Sequence, residues 1–219
     1  MSSPDITKYP YPFFAKEGWP FIIISVISFV IFFAFEQFFL TTVFLLISIF
    51  VFQFFRDPKR VAPSDKTAIS SPADGRVVYV GKGFDPLQKI DSLKISVFMN
   101  VFNVHSNRSP IEGVVESTDY KVGKFFNADL DKASEHNERN AILFSDNQGR
   151  KLTCVQIAGL IARRICCYVD IGDEVKRGSR FGYIRFGSRV DIYLPQESKP
   201  LVSVGDSILA HSTALALWP

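Results

Sequence analysis

Cysteine and histidine are both scarce in this chain, which has three of each in 219 residues. Two of the cysteines, Cys166 and Cys167, are adjacent, and neither zinc sites nor dithiol redox sites use that spacing. Together with Cys154 they make an odd number, which argues against a disulfide framework. We therefore predict no metal site and expect buried, reduced thiols in a reducing compartment.

An excess of charge of one sign is also missing. The 25 lysines and arginines nearly balance the 22 aspartates and glutamates, and the formal net charge is +3. A surface of such mixed charge carries no electrostatic footprint for nucleic acid. We therefore expect no nucleic-acid partner.

Long hydrophobic runs are present, but they are confined to the N-terminal part. Fourteen of the 22 phenylalanines lie between Phe13 and Phe55. The chain is uncharged over residues 19–35 and again over 38–55, with Glu36 and Gln37 between the two runs. As helices at about 1.5 Å per residue, the runs would be about 25–27 Å long, close to the thickness of a hydrocarbon core. Since one continuous helix would bury Glu36 in lipid, residues 1–57 are predicted to form a membrane-associating helical hairpin that either spans the bilayer or dips into it.

Basic residues flank this hairpin on both sides, and the positive-inside rule then places both of its ends in the cytoplasm. They are Lys8, Lys16, Arg56, Lys59 and Arg60. A cleavable signal peptide is not expected, because no small-residue cleavage site follows the apolar run. A soluble, buried hairpin is disfavoured, because apolar residues on every face leave no side for water. The sequence thus predicts an inner-membrane protein whose remaining domain faces the cytoplasm.

Residues 58–219 favour a β-rich domain, because short β-branched runs are bounded by Gly, Pro, Asp or Asn. A single helix candidate covers residues 130–139. We predict a mainly β chain, in which a β-sandwich or barrel-sandwich-like soluble domain follows the hairpin. The predicted strands are 76–80, 93–98, 113–116, 141–144, 152–157, 165–169, 180–184 and 189–194.

An internal sequence repeat supports this fold. The phrase VDIGDEV at 169–175 returns as VSVGDSI at 202–208. Glycine allows a positive φ, and aspartate can accept hydrogen bonds from the turn backbone, so each phrase predicts a strand-turn-strand corner. The phrase resembles the hairpins of biotinyl- and lipoyl-type β-sandwiches, and by itself it indicates fold rather than chemistry.

Three places could carry chemistry. His105 lies in the polar phrase NVHSNRSP at 103–110, directly after an apolar strand, where catalytic groups are often placed. Asp74 lies in the turn SPADG at 71–75, and Gly187-Ser188 interrupts a strand-like run. His136, within SEHNERN at 134–140, is expected on a solvated helix face, and His211 has no assigned role.

These phrases, with GKF at 123–125 and RFGSRVD at 185–191, resemble the short class of the phosphatidylserine decarboxylase family, which includes archaetidylserine decarboxylases. The likeness extends in order from about residue 56 to the C-terminus, and the hairpin ahead of it is also similar. The longer bacterial class has a further histidine and an acid where this chain has Phe102 and Asn100. Any role of those two groups in protonating the substrate is therefore not assigned here.

The resemblance implies a self-processing proenzyme that converts phosphatidylserine to phosphatidylethanolamine and CO₂. The family's cleaved bond maps to Gly187-Ser188, which would give a β chain of 1–187 and an α chain of 188–219. Ser188 would become the pyruvoyl cofactor. The catalytic set of the family maps to Ser188, His105 and Asp74, with His105 as the base, since histidine ordinarily has a pKa near 6.5, and Asp74 fixing its tautomer.

Arg108, Lys124 and Arg139 are candidates to hold the substrate's phosphate or carboxylate. The implied partners are phosphatidylserine in the bilayer, the membrane, and the two chains of one precursor, and association between copies is left open. An archaetidylserine or related serine-phospholipid decarboxylase remains an alternative. So does a non-enzymatic membrane-anchored adaptor, although an adaptor has no need of the combined catalytic set. A lipoyl- or biotinyl-like carrier would need a lysine in a Met-Lys-Met-like setting, which the sequence lacks.

Overall fold

A computed structural model describes residues 13–65, 67–123, 137–159, 165–185 and 188–219. The described residues fall into two compact units, the first ending at Lys59 and the second beginning at Arg60.

The first unit is a helical hairpin. A single 3₁₀ turn, Lys16–Gly18, leads into α1 (Trp19–Ala34), and α2 covers Phe38–Phe54. The two ends of the hairpin meet, because the backbone N–H of Ala15 donates to the carbonyl of Phe55 at 2.7 Å. The predicted pair of consecutive apolar helices is therefore confirmed, while their association with a membrane stays a prediction. By length and composition, Lys16–Ala34 could cross a bilayer, whereas Phe38–Phe54 is shorter, and the same test is also passed by buried core helices and signal sequences.

The described part of the second unit is mainly β, as predicted. Its strands are β1 (Ala68–Ser70), β2 (Gly75–Phe84), β3 (Asp91–Met99), β4 (Ser106–Arg108), β5 (Gly113–Lys121), β6 (Arg139–Ser145), β7 (Lys151–Ala158), β8 (Ile165–Cys167), β9 (Glu174–Val175), β10 (Arg180–Ile184), β11 (Ser188–Pro195), β12 (Lys199–Pro200), β13 (Ser207–Ile208) and β14 (Ala214–Leu217).

Eight of these strands form one curled antiparallel sheet in the order β13-β2-β3-β11-β7-β6-β5-β9. Two three-stranded sheets, β1-β14-β12 and β4-β10-β8, complete the unit. Along β11, Val190, Ile192 and Leu194 point into the main hydrophobic core. Because side chains alternate between the faces of a strand, Ser188 lies on this inner face as well.

The two copies of the internal sequence repeat form two equivalent corners, as the sequence predicts. Gly172 has a φ of 93° and Gly205 a φ of 101°. In each corner an aspartate Oδ2 accepts a backbone N–H at 2.8 Å, from Asp170 to Asp173 and from Ser203 to Asp206.

The segments that lead into β2 and β5 resemble each other as well. The hydroxyls of Ser71 and Ser109 both donate to the carbonyl two residues further on, each at 2.7 Å. A Cβ on Gly75 or on Gly113 would collide with a carbonyl oxygen of the neighbouring strand. The second unit is therefore built from two similar halves.

Two expectations from the sequence need correction. Arg139 begins β6 and is not helical, while residues 130–136 of the predicted helix lie outside the described residues. None of the three cysteines, all of which the structure describes, forms a disulfide; Cys154 is buried as predicted, but Cys167 is exposed.

Candidate active site

Ser188 is the first residue of β11 and is fully buried. Its neighbours across the sheet are Met99 on β3 and Ala158 on β7. Among the residues that the structure describes, its Oγ has no hydrogen-bond partner. Such an unsatisfied buried hydroxyl is costly, and it identifies Ser188 as a candidate for chemistry. Gly187 lies outside the described residues.

Side chains on the outer face of β11 hold this strand in place directly after Ser188. The guanidinium of Arg189 is buried there and donates to Asp191, from Nε to Oδ1 at 2.5 Å, and to the hydroxyl of Ser96 at 2.9 Å. Lys94 contributes a second cation, with its Nζ 3.0 Å from Asp191 Oδ2. A buried carboxylate with two cationic partners holds β11 to β3, and it thereby positions Ser188.

His105 directly precedes β4 and is also fully buried. Its Nδ1 lies 2.9 Å from the carbonyl oxygen of Asn103. Because a carbonyl can only accept, this contact requires the proton on Nδ1 and leaves the lone pair on Nε2. The backbone of Asn103 therefore constrains the tautomer of His105, and the tautomer-fixing role that the sequence assigns to Asp74 stays a prediction.

His105 is linked to Ser188 through the end of β10, by one backbone hydrogen bond and a short stretch of chain. The backbone N–H of Ile184 donates to the carbonyl of His105 at 3.3 Å. From Ile184, the last residue of β10, the backbone can reach at most about 14 Å to Ser188. Both residues therefore belong to the same interior region of the domain.

Asp74 lies at the start of β2, close to the same region. Its Oδ1 accepts the backbone N–H of Ala210 at 2.7 Å, and its Oδ2 accepts Nη2 of Arg60 at 2.6 Å. Since β2 and β11 are both neighbours of β3 in the sheet, two strand spacings of about 4.8 Å separate them. The structure thus brings Asp74, His105 and Ser188 into one part of the domain.

The basic residues predicted for substrate binding are distributed differently. Arg108 is buried, and its Nη1 donates to the carbonyl of Gly178 at 3.2 Å. Arg139 pairs with Ile157 on β7, one position before the inward-facing Asn140, so it lies on the face of the sheet opposite to Ser188. Lys124 and His136 lie outside the described residues.

A chain of three amide side chains, not predicted from the sequence, crosses the interior beside Ser188. Asn140 Nδ2 donates to Gln156 Oε1 at 3.0 Å, and Gln156 Nε2 donates to Asn107 Oδ1 at 2.7 Å. Gln156 is two residues from Ala158, the partner of Ser188, and on the same face. The sequence did hold a sign of this network, because Gln156 is a polar residue at an inward-facing position of the apolar strand β7.

His211 is a second feature that the sequence did not explain. It has a φ of 64°, and its ring occupies the space that a side chain on Gly178 would need. Burial lowers its pKa, and the charges of Arg108 and Arg177 lower it further. Gly178 and His211 occupy matching positions in the two halves, nine residues after Val169 and Val202 respectively.

No cluster of three or more histidine, cysteine, aspartate or glutamate side chains suited to a metal ion occurs among the described residues.

A serine and a histidine enclosed together in a β domain suit the class of proenzymes that act on their own chain. Residues 47–216 match the model of the phosphatidylserine decarboxylase family. Two relatives named phosphatidylserine decarboxylase proenzyme, from Burkholderia mallei (strain SAVP1) and Burkholderia pseudomallei (strain 1106a), are each 53% identical over 212 residues, covering 97% of this chain and 98% of theirs. A third of the same name, from Paraburkholderia xenovorans (strain LB400), is 53% identical over 209 residues, covering 95% and 99%. The chain belongs to the phosphatidylserine decarboxylase family.

Proposed function

We propose that this chain is a membrane-associated proenzyme that cuts itself between Gly187 and Ser188 and takes its pyruvoyl group from Ser188. As a member of its family the chain decarboxylates phosphatidylserine. The family depends on a pyruvoyl group in general, and the word proenzyme implies two chains made from one precursor. The proposal concerns which residues of this chain carry out these steps.

The observation that carries the proposal is the buried Oγ of Ser188 at the first position of β11, which has no hydrogen-bond partner within the described part of the chain. Most buried polar side-chain atoms have a hydrogen-bond partner, as the hydroxyls of Ser71 and Ser109 do here. Among the described residues, Ser188 shares the lack of a partner with the buried serines Ser106 and Ser198. A hydroxyl without such a bond retains its proton for a base and its lone pairs for attack.

His105 is the proposed base. Its Nδ1 proton is held by Asn103, so Nε2 carries the lone pair that can take the proton of Ser188. The Oγ then attacks the carbonyl carbon of Gly187, and the peptide bond is exchanged for an ester. Loss of the α-proton of Ser188 breaks the ester and releases residue 187 as a carboxylate. Hydrolysis of the resulting dehydroalanine consumes water and releases ammonia, which leaves the pyruvoyl group at residue 188.

Asp74 is proposed to stabilise the positive charge that forms on His105, the role of the third group in a triad. The two hydrogen bonds to Asp74, from Arg60 and from Ala210, favour its ionised form.

The buried position of Ser188 also suits the group that would form there. When bound to the end of the α chain, a pyruvoyl group supplies a carbonyl that draws electrons from the carboxylated carbon of the substrate as CO₂ leaves. Met99 and Ala158 flank this position and shield it from bulk water.

The membrane placement is part of the proposal. We assign residues 1–57 to a membrane-associating hairpin and residues 58–219 to the catalytic domain, on the cytoplasmic side of the inner membrane. The length and apolar composition of Lys16–Ala34 support this assignment. Holding the domain at the bilayer would keep the site close to its lipid substrate.

Mass measurement of the purified protein under denaturing conditions tests the proposal. We expect two fragments, 1–187 and 188–219, the smaller one lacking a free amino terminus, and CO₂ release from phosphatidylserine vesicles. Ser188→Ala should leave the chain whole and inactive. The matched control is Ser106→Ala, a second buried serine whose Oγ has no partner among the described residues, which should still cut. An intact wild-type chain that releases CO₂ would overturn the proposal.

A further inference from the structure

An open cleft of about 670 Å³ lies beside the proposed catalytic residues. This volume is within the usual range for small-molecule sites. Its lining includes Gly75, Arg76, Asn100, Asn103 and Leu209.

Three of these lining residues connect the cleft directly to the candidate active site. Gly75 follows Asp74 in the chain. Asn103 supplies the carbonyl that holds His105. Asn100 follows Met99, whose Cα is the partner of Ser188 across the sheet.

The charge of the cleft favours an anion. Arg76 is the one charged side chain among the described residues that line it. Its Nε donates to the carbonyl of Gly205 at 3.0 Å, which fixes the plane of the guanidinium. Within the described part of the chain Arg76 makes no other hydrogen bond, so its two terminal nitrogens remain for a ligand. A guanidinium held in this way can bind two phosphate oxygens at once.

Two amides add further donors. The Oδ1 of Asn100 accepts the N–H of Phe102 at 2.8 Å, and the Oδ1 of Asn103 accepts the N–H of Asn100 at 2.9 Å. Because these bonds occupy the oxygens, each side chain presents its NH₂ group as a donor. Donors of this kind complement a carboxylate or phosphate rather than a cation.

We propose that Arg76 binds the phosphodiester of the lipid headgroup in this cleft, with the amides of Asn100 and Asn103 facing the carboxylate of its serine. The inference rests on the proposed function, because it takes the cleft to hold the lipid that reacts at residue 188. The exposed side chain of Leu209 in the cleft lining suits the apolar part of the lipid. Phe102, which lies between the two asparagines in the chain, is also exposed. Arg76 then takes the phosphate-binding role that the sequence assigns to Arg108, Lys124 and Arg139.

The test uses the full-length, self-cut enzyme in phosphatidylserine vesicles and compares Arg76→Ala and Arg76→Lys with wild type. The matched control is Lys82→Ala, an exposed cation on the same strand that does not line the cleft. We expect Arg76→Ala to cut itself normally and to raise KM about 10- to 100-fold, the scale of a lost charge-assisted bond. Arg76→Lys should retain part of the affinity, because lysine keeps the charge without the paired geometry.

Soluble inhibitors separate phosphate binding from general attraction to an anionic vesicle. Glycerophosphoserine carries the phosphate and O-methylserine does not. Wild type should bind glycerophosphoserine more tightly, and Arg76→Ala should lose that preference while its affinity for O-methylserine is unchanged. An unchanged KM, equal loss for both inhibitors, or the same loss in Lys82→Ala would overturn the role of Arg76. A wild-type chain that never cuts would instead overturn the proposed function.

Discussion

Arg60 and Asp74 form an ion pair in which Nη2 of the guanidinium lies 2.6 Å from Oδ2 of the carboxylate. The side chain of Asp74 is only 3% exposed and that of Arg60 is 16% exposed, so water screens this pair far less than an exposed one. Arg60 is the first residue of the second unit, directly after the helical hairpin. Arg60, which follows the hairpin in the chain, is thus ion-paired with Asp74 of the proposed catalytic set.

Arg60→Ala should therefore slow self-cleavage while leaving most molecules folded. The substitution removes one charged partner of a buried carboxylate, at a cost of about 2–3 kcal/mol in unfolding free energy. Arg60→Lys should recover part of the cleavage rate. The rate is measured by following the two fragments on denaturing gels after synthesis. Lys151→Ala, which breaks the exposed pair with Glu116, serves as the control, and a rate equal to wild type in Arg60→Ala would contradict the prediction.

Gln156→Leu should destabilise the fold strongly. Gln156 connects Asn107 to Asn140, and its loss leaves an acceptor and a donor buried without partners, at about 1–3 kcal/mol each. Urea unfolding monitored by fluorescence measures the loss. Gln148→Leu, at an exposed turn, should change stability by less than about 0.5 kcal/mol. Equal unfolding midpoints for the two variants would show that the hydrogen bonds of Gln156 to Asn107 and Asn140 contribute nothing to stability.

His211→Gly should reduce the sensitivity of the fold to acid. The pKa of His211 is lowered in the folded state by burial and by Arg108 and Arg177, so the unfolded chain binds the proton more readily. Stability then falls as the pH drops below the ordinary histidine pKa near 6.5. Glycine fits the φ of 64° and occupies the equivalent position, 178, in the other half of the domain.

The measurement for His211 compares urea midpoints at pH 7.5 and 5.5. Wild type should lose more stability between these two pH values than His211→Gly or His211→Asn, since asparagine also tolerates a positive φ. An identical loss in all three proteins would exclude His211 as a source of acid sensitivity.

Gly75→Ala and Gly113→Ala should destabilise the fold to a similar extent but should differ in self-cleavage. Each new Cβ would press on a carbonyl, of Phe98 or Ser145 respectively, which costs about 2–3 kcal/mol. Phe98 directly precedes Met99, the partner of Ser188, whereas Ser145 is remote from the site. At a temperature where both variants are folded, only Gly75→Ala should cut slowly. Equal cutting rates would argue against strand β3 as a positioning element for Ser188.

The sequence predicted where the longer strands lie, because runs such as 180–184 combine β-branched or aromatic residues with turn signals. It predicted two of them too short, since β2 extends to Phe84 and β5 to Lys121, beyond the predicted 76–80 and 113–116. Two-residue strands such as β9 and β13 were not predicted, since two residues show no periodicity. The helix expected at 130–139 was wrong at Arg139, where pairing with β7 overrides the helix preference of a polar stretch.

The phrases around Asp74, His105 and Ser188 led to the prediction of these residues as a catalytic set, and the structure places them in one part of the domain. Their partners could not be predicted in the same way. Arg60 and Asp74 are 14 residues apart in the chain. The hydrogen bond between Gln156 and Asn107 joins strands from two different sheets. Such contacts depend on tertiary packing, which no local pattern encodes.

Strand β11 occupies a central place in the eight-stranded sheet, with β3 on one side and β7 on the other. If the chain is cut just before Ser188, this strand becomes the beginning of a separate peptide that remains inserted between two strands of the other. The peptide would also retain β14, which lies between β1 and β12. Release of the small fragment would then require the whole sheet to open, so the two pieces should part only at the rate at which the domain unfolds.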